Sequence, residues 1–273
     1  MSAPHHRRRA AAFFDLDRTL ISGASTFTFG IAAWRNDMIP TRELLSDAVN
    51  ALIFRLTGGS EERVESTRER ILHAVAGQQV EDFLALNDEI VPRLLSKLRP
   101  ESRSLLEMHA EADRDRFIVS ATPRELVEPL ARALDVEGAI GTESEIVDGC
   151  YTGELDGPFA YGQGKAEAIE KLAAERGYDL RLSYAYSDSS SDLPMLELVG
   201  HPVAVNPDRT LETVAHQRGW PIVVFSRKAK RVVKTTTAAT SAAGLAVATY
   251  LLGRRHGRIS TEAQQGRLSA LVG

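Results

Sequence analysis

Short apolar runs alternate with longer amphipathic stretches along most of this chain. The short runs are Ala11–Phe14, Phe117–Ser120, Leu182–Tyr186, Val203–Val205 and Ile222–Phe225. They read as strands, and helical patterns separate most of them. That alternation predicts an α/β fold, a doubly wound parallel sheet with helices on both faces.

The rhythm breaks between the first two strands, where only helices are predicted. "TRELLSDAVNALIFRL" places Leu44, Leu45, Ala48, Val49, Leu52, Ile53 and Leu56 on one helical stripe. "EERVESTRERILHAVAG" and "VEDFLALNDEIVPRLLSKL" repeat the pattern, with Gly58-Gly59 and Gly77 as breaks. Pro92 is expected to kink or split the second of these. Glu101–Ala112 is expected to return the chain to the sheet. One crossover needs one helix, so several predict an inserted α-helical cap over residues 23–112, with a separate helical domain as the alternative. The sheet domain is then 10–22 with 113–227, preceded by a disordered basic arm (1–9) and followed by a basic and apolar tail (228–273). "TESEIVDGCYTGEL" (142–155) reads as a hairpin turning at Asp148-Gly149.

Composition adds mainly exclusions. The chain is 43% hydrophobic and 26% charged, enough for a packed core. A net charge of −4 makes no general case for a nucleic-acid partner, and none is expected. The lone cysteine, Cys150, rules out an internal disulfide framework and a multi-cysteine zinc site. The N-terminal "SAPHHRRR" lacks a signal-peptide pattern, so a cytoplasmic location is expected. "TTTAATSAAGLAVATYLLG" (235–253) is uncharged. As a helix it would be about 28 Å long, close to a bilayer core. Its heavier basic flank lies on the N-terminal side, which would face the cytoplasm. A membrane span, a helix on a membrane surface and a loosely ordered tail are the readings open for it, so membrane association is one expectation.

Candidate chemistry lies at the strand ends, where open α/β sheets bind ligands. The first strand ends in Asp15-Leu16-Asp17, the second in Ser120-Ala121-Thr122, and the third is followed by "SDSSSD" with Asp188 and Asp192. Lys165 opens a helix after "YGQG". Clustered carboxylates suit a hard cation such as Mg²⁺, and a lysine beside a helix N-terminus suits an anion. "SATPRE" reads as a helix start, with Thr122 as N-cap, Pro123 at the first position and Glu125 closing a capping box.

"DLDRT", "VSAT", "GQGK" and "YSDSSSDLPML", in that order, resemble the four motifs of the haloacid dehalogenase superfamily. The helical insertion and the tract "GHPVAVNPD" (200–208) are similar to its phosphoserine-phosphatase-like branch, subfamily IB. The resemblance implies a Mg²⁺-dependent phosphatase working through an aspartyl-phosphate on a small-molecule phosphomonoester. Asp15 would be the nucleophile and Asp17 the general acid and base. Members that displace halide lack this second aspartate. Asp15, Asp188 and the carbonyl of Asp17 would hold Mg²⁺, and Asp192 would position Lys165 or a metal-bound water. Leu16, Asp17, Ser120, Ala121 and Lys165 would bind the phosphate, with Lys165 stabilising the transferring group.

The resemblance also implies a substrate problem. Phosphoserine phosphatases usually carry a glutamate shortly after the first motif, at or near Ala24 here. No carboxylate occurs from Leu20 to Asn36, which disfavours phosphoserine and leaves other small metabolites or lipid head groups. Phe27, Phe29, Trp34 and Arg35 are candidate residues at the mouth of the cap. A phosphotransferase or mutase, and a non-catalytic membrane-associated scaffold, are the competing readings.

Overall fold

The computed structural model describes residues 9–38, 68, 69, 72, 73 and 75–225. The stripe predicted at 41–56, most of the helix after it, most of the N-terminal arm and the tail with its 235–253 segment lie outside the described residues.

Six parallel strands form the central sheet in the order β3-β2-β1-β6-β7-β8. They are β1 (Ala11–Asp15), β2 (Asp115–Pro123), β3 (Gly138–Thr142), β6 (Tyr184–Ser187), β7 (His201–Val205) and β8 (Ile222–Val223). A separate antiparallel hairpin pairs β4 (Ser144–Val147) with β5 (Cys150–Leu155). The chain builds outward from β1 through β2 to β3, then returns to the other side of β1 for β6, β7 and β8. The strand order therefore reverses at β1, and a crevice opens there at the carboxyl ends.

The central strand explains why helices cover both faces. Successive side chains of a strand point to opposite faces, and all of β1 is buried. Ala12 and Phe14 pack with Leu126, Val127 and Leu130 of α5 (Arg124–Ala133), and with Leu105 and Leu106 of α4 (Pro100–Glu111). Ala11 and Phe13 pack on the other face with Ile169 and Ala173 of α6 (Gln163–Arg176). Met195 and Leu196 of α7 (Leu193–Leu198) join them, as do Leu211 and Ala215 of α8 (Arg209–Arg218).

Between β1 and β2 the described helices are α1 (Ser25–Arg35), α2 (Val80–Ala85), α3 (Asn87–Ser96) and α4. The predicted break at Pro92 falls elsewhere. The helix divides at Leu86, and Pro92 sits inside α3. Ile90 and Leu94 of α3 are fully buried in the core cluster, so packing holds the helix across its proline.

The predicted cap at Thr122 is also corrected. Strand β2 runs on through Pro123, which pairs with Thr142, and α5 begins at Arg124. The Thr122 hydroxyl is engaged by Ser120 and Ser25 instead (3.1 and 3.2 Å), and Glu125 Oε2 is buried without a partner among the described residues. The hairpin turn stands where expected, with positive φ at Asp148 and Gly149. Strand β3, "GAIGT", was not among the predicted strands. Two of its five residues are glycine, so it carries little strand signal. Leu182, assigned to the third predicted strand, lies in a short 3₁₀ turn (Leu180–Leu182) before β6.

A buried polar stack locks β1 to β6. Phe14 stacks on Tyr186 with ring centroids 4.6 Å apart, and His109 meets both rings edge-on. Arg114 Nε donates to His109 Nδ1 (2.7 Å), so the other ring nitrogen donates to Tyr186 Oη (2.8 Å). Burial, then Arg114 and Arg116, push the His109 pKa down to about 3. The unfolded imidazole titrates near pH 6.5. A depressed folded pKa means stability is complete above that value and falls as pH drops toward 3. The loss from this one group is about 1.4 kcal/mol per pH unit in the window. His109→Gln should flatten the stability profile below pH 6.5 in urea titrations relative to wild type. Parallel profiles for the two proteins contradict this reading.

Candidate active site

The register of the sheet brings distant residues to one edge. Asp15 ends β1 opposite Val119, so Ser120 lies one residue beyond it on β2. Phe14 pairs with Tyr186, so Ser187 ends β6 beside Asp15, and Asp188 follows directly after the strand. Asp15, Ser120, Lys165, Asp188 and Asp192 are all buried.

Lys165 organises the centre. Its Nζ donates to Asp15 Oδ1 at 2.7 Å and to Asp192 Oδ2 at 2.8 Å. Ser187 Oγ also donates to Asp192 Oδ2 (2.7 Å), while Asp192 Oδ1 is buried with no partner among the described residues. The loop "YGQG" delivers this lysine. Gly162 has φ 55 and ψ −118, and a Cβ on Gly164 would lie 1.9 Å from the Phe159 carbonyl oxygen. Gly164→Ala must displace the start of α6 and with it Lys165. We expect it to destabilise the fold by about 2 kcal/mol or more, read as a lowered Tm; an unchanged Tm would show that the loop yields freely.

After Asp15 the chain turns sharply through Leu16–Leu20. Asp17 Oδ1 accepts from the backbone N–H of Ser25 at the start of α1 (2.7 Å). Arg18 has φ 60, and its guanidinium forms an ion pair with Asp188, Nε lying 2.8 Å from Oδ2. Asp208, the N-cap of α8, accepts from Leu211 N–H and from Ser190 N–H, and so fixes the loop bearing Asp188. Ser120 Oγ donates to Thr122 Oγ1 and accepts from Thr122 N–H.

Electrostatically the centre is short of positive charge. Burial pushes Asp15 up to about 7; Lys165 opposes this, and repulsion from Asp192 and Asp17 adds to it. Asp188 is pushed up to about 8 by burial and Asp15, against the pull of Arg18. Burial also raises Asp17, offset by its hydrogen bond from Ser25. Burial works against the Lys165 cation, yet Asp15 and Asp192 hold its pKa above the ordinary lysine value. Among the described residues, four carboxylates thus share one buried lysine and one partly exposed arginine.

The oxygen-rich donor set and the orphan oxygen of Asp192 fit a hard divalent cation. Among the described residues no three acidic, His or Cys side chains are grouped closely enough to cage an ion alone. Mg²⁺ does not need that, because it binds through one or two carboxylates plus phosphate and water.

The structure gathers Asp15, Asp17, Lys165, Asp188 and Asp192, together with Ser120 at the end of β2. Arg18, Ser25, Ser187 and Asp208 complete the network and were missed. The one available signal was their place beside the motifs, since a serine opening a helix or an arginine in a turn has ordinary roles. Arg35, predicted at the cap mouth, pairs with Glu89 of α3 (3.1 Å). Phe27 and Trp34 are partly exposed. His201 stacks on Tyr184, a packing role. No described helix is long and apolar enough to cross a membrane.

The model of the haloacid dehalogenase-like hydrolase family matches residues 12–197. A phosphoserine phosphatase of Mycobacterium tuberculosis is 40% identical over 253 residues, covering 91% of this chain and 82% of the relative. A histidinol-phosphatase of Neisseria meningitidis is 31% identical over 219 residues, covering 78% of this chain and 98% of the relative. A Bordetella pertussis protein of unknown function superposes with a TM-score of 0.69 at 28% identity, covering 79% of this chain and 98% of that one. With a buried aspartate–lysine centre at the switch point of its sheet, this chain belongs to the haloacid dehalogenase-like hydrolase family and is a phosphatase.

Proposed function

We propose that the protein hydrolyses a small phosphomonoester, with Mg²⁺, through a phosphoryl group carried on Asp15. The contact that carries this reading is Lys165 Nζ at 2.7 Å from Asp15 Oδ1, in a buried site flanked by Ser120 and Asp188. Asp15 attacks phosphorus, and the bond from phosphorus to the substrate oxygen breaks. Asp17 gives its proton to the departing alkoxide, then takes one from the water that attacks the aspartyl-phosphate. Its raised pKa suits the first of these steps. Lys165, the Ser120 hydroxyl and the N–H groups of Leu16, Asp17 and Ala121 would hold the phosphate oxygens. Asp192 and Ser187 keep the lysine aimed. Asp15, Asp188 and the Asp17 carbonyl would hold Mg²⁺. When bound, the ion supplies the positive charge that these carboxylates and the incoming phosphate lack.

The segment 23–112 is the cap in this reading and selects the substrate. Helix α1 meets the site through Ser25, whose hydroxyl is engaged by Thr122, and no carboxylate precedes Asn36 on that helix. An ammonium partner is therefore missing where phosphoserine would need one. The relatives' names span two different phosphomonoesters, so kinship leaves the choice open. A screen with Mg²⁺ across phosphoserine, histidinol phosphate, phosphocholine, sugar phosphates and lysophosphatidate tests this. Phosphoserine should rank below the best substrate by kcat/KM, and EDTA should abolish all turnover. Phosphoserine as the best substrate would overturn the specificity reading, and turnover in EDTA the metal reading.

A further inference from the structure

We infer that Arg18 is a tethered competitor for the divalent cation: its guanidinium holds Asp188 in the metal-free protein and must leave when the ion arrives. The inference rests on the metal reading above and concerns a residue to which that reading gives no task.

Three observations carry it. First, Arg18 Nε lies 2.8 Å from Asp188 Oδ2, on the carboxylate proposed to bind the metal. A guanidinium and a divalent cation on one carboxylate repel each other, so one displaces the other. Second, the backbone commits the residue to this place. Arg18 adopts φ 60, which disfavours a non-glycine residue, and its N–H is fixed to the Gly23 carbonyl (3.0 Å). The side chain thus leaves the turn from a set position beside Asp188. Third, the two partners differ in exposure. The Asp188 side chain is 6% exposed and that of Arg18 is 56% exposed. A half-exposed arginine adds little to stability through such a pair. It can swing into solvent at small cost, whereas Asp188 stays buried and needs a counter-charge. Lys165 cannot supply one, being bonded to Asp15 and Asp192.

Arg18 therefore neutralises part of the charge on Asp188 in the metal-free site, and in doing so weakens metal binding. Removing its charge leaves Asp188 and Asp15 repelling each other across a vacant counter-charge, which attracts Mg²⁺ more strongly.

Isothermal titration of the full chain with Mg²⁺ alone tests this. Arg18→Asn removes the charge and keeps a residue type that tolerates the turn; Arg18→Gln provides a second neutral side chain if the first disturbs it. Both should bind Mg²⁺ about threefold to tenfold more tightly than wild type. Arg18→Lys, which keeps the charge, should bind close to wild type. The rise in Tm on adding Mg²⁺ should be larger for the neutral variants. Equal or weaker Mg²⁺ binding by folded Arg18→Asn and Arg18→Gln overturns the inference while leaving the metal reading intact. Failure of wild type to bind Mg²⁺ at all overturns the metal reading, and this inference with it.

Discussion

Asp15→Asn should fold as well as wild type and lose phosphatase activity by about 10⁴-fold or more in kcat. The substitution replaces one oxygen by a nitrogen and keeps the side chain's shape. The amide oxygen can still accept from Lys165, but it cannot form the bond to phosphorus. Stability should move the opposite way from activity. Asp15 is pushed up to about 7 by burial and by its acidic neighbours, so its charge is disfavoured where it stands. A neutral residue relieves that, and Tm without Mg²⁺ should hold or rise. Undiminished hydrolysis of para-nitrophenyl phosphate by the variant eliminates Asp15 as the nucleophile.

Lys165→Met should damage both properties. The methionine fills much of the same volume without the ammonium, so Asp15 and Asp192 are left buried and facing each other. Removing one member of a buried ion pair costs about 3–5 kcal/mol, to be read from urea unfolding without Mg²⁺. Activity should fall by about 10²- to 10³-fold, as for loss of a fixed donor to a developing charge. Mg²⁺ should restore part of the stability and little of the activity, because the ion replaces charge without replacing the phosphate donor. The two variants thus separate the roles. One loses chemistry and keeps the fold; the other loses both. A Lys165→Met protein of wild-type stability would show that the buried carboxylates do not depend on it.

The sheet was legible because a doubly covered strand must be apolar on both sides. "AAFF" therefore announced β1, and the polar residues after it announced the strand end. The converging aspartates and Lys165 were legible for the same reason: polar residues directly after apolar runs lie at one edge of a parallel sheet. Strand β3 escaped because its glycines leave a pattern no different from a loop. Thr122 was misread because a capping box and a strand running to Pro123 share the same local residues, and only pairing with Thr142 decides between them. Pro92 does not break α3, because buried Ile90 and Leu94 oppose the cost of a proline inside the helix. Arg18, Ser25 and Ser187 were invisible for a further reason. Their contacts reach across elements, from Arg18 to Asp188 and from Ser25 to Thr122, and no local periodicity encodes such meetings.

Mass spectrometry of the protein acid-quenched during turnover of para-nitrophenyl phosphate with Mg²⁺ is the most direct test of covalent phosphoryl transfer. One phosphoryl group should be found on the peptide containing Asp15, and none on the Asp15→Asn protein. A phosphoryl group on a serine or histidine elsewhere, in a protein still turning over substrate, would contradict the account.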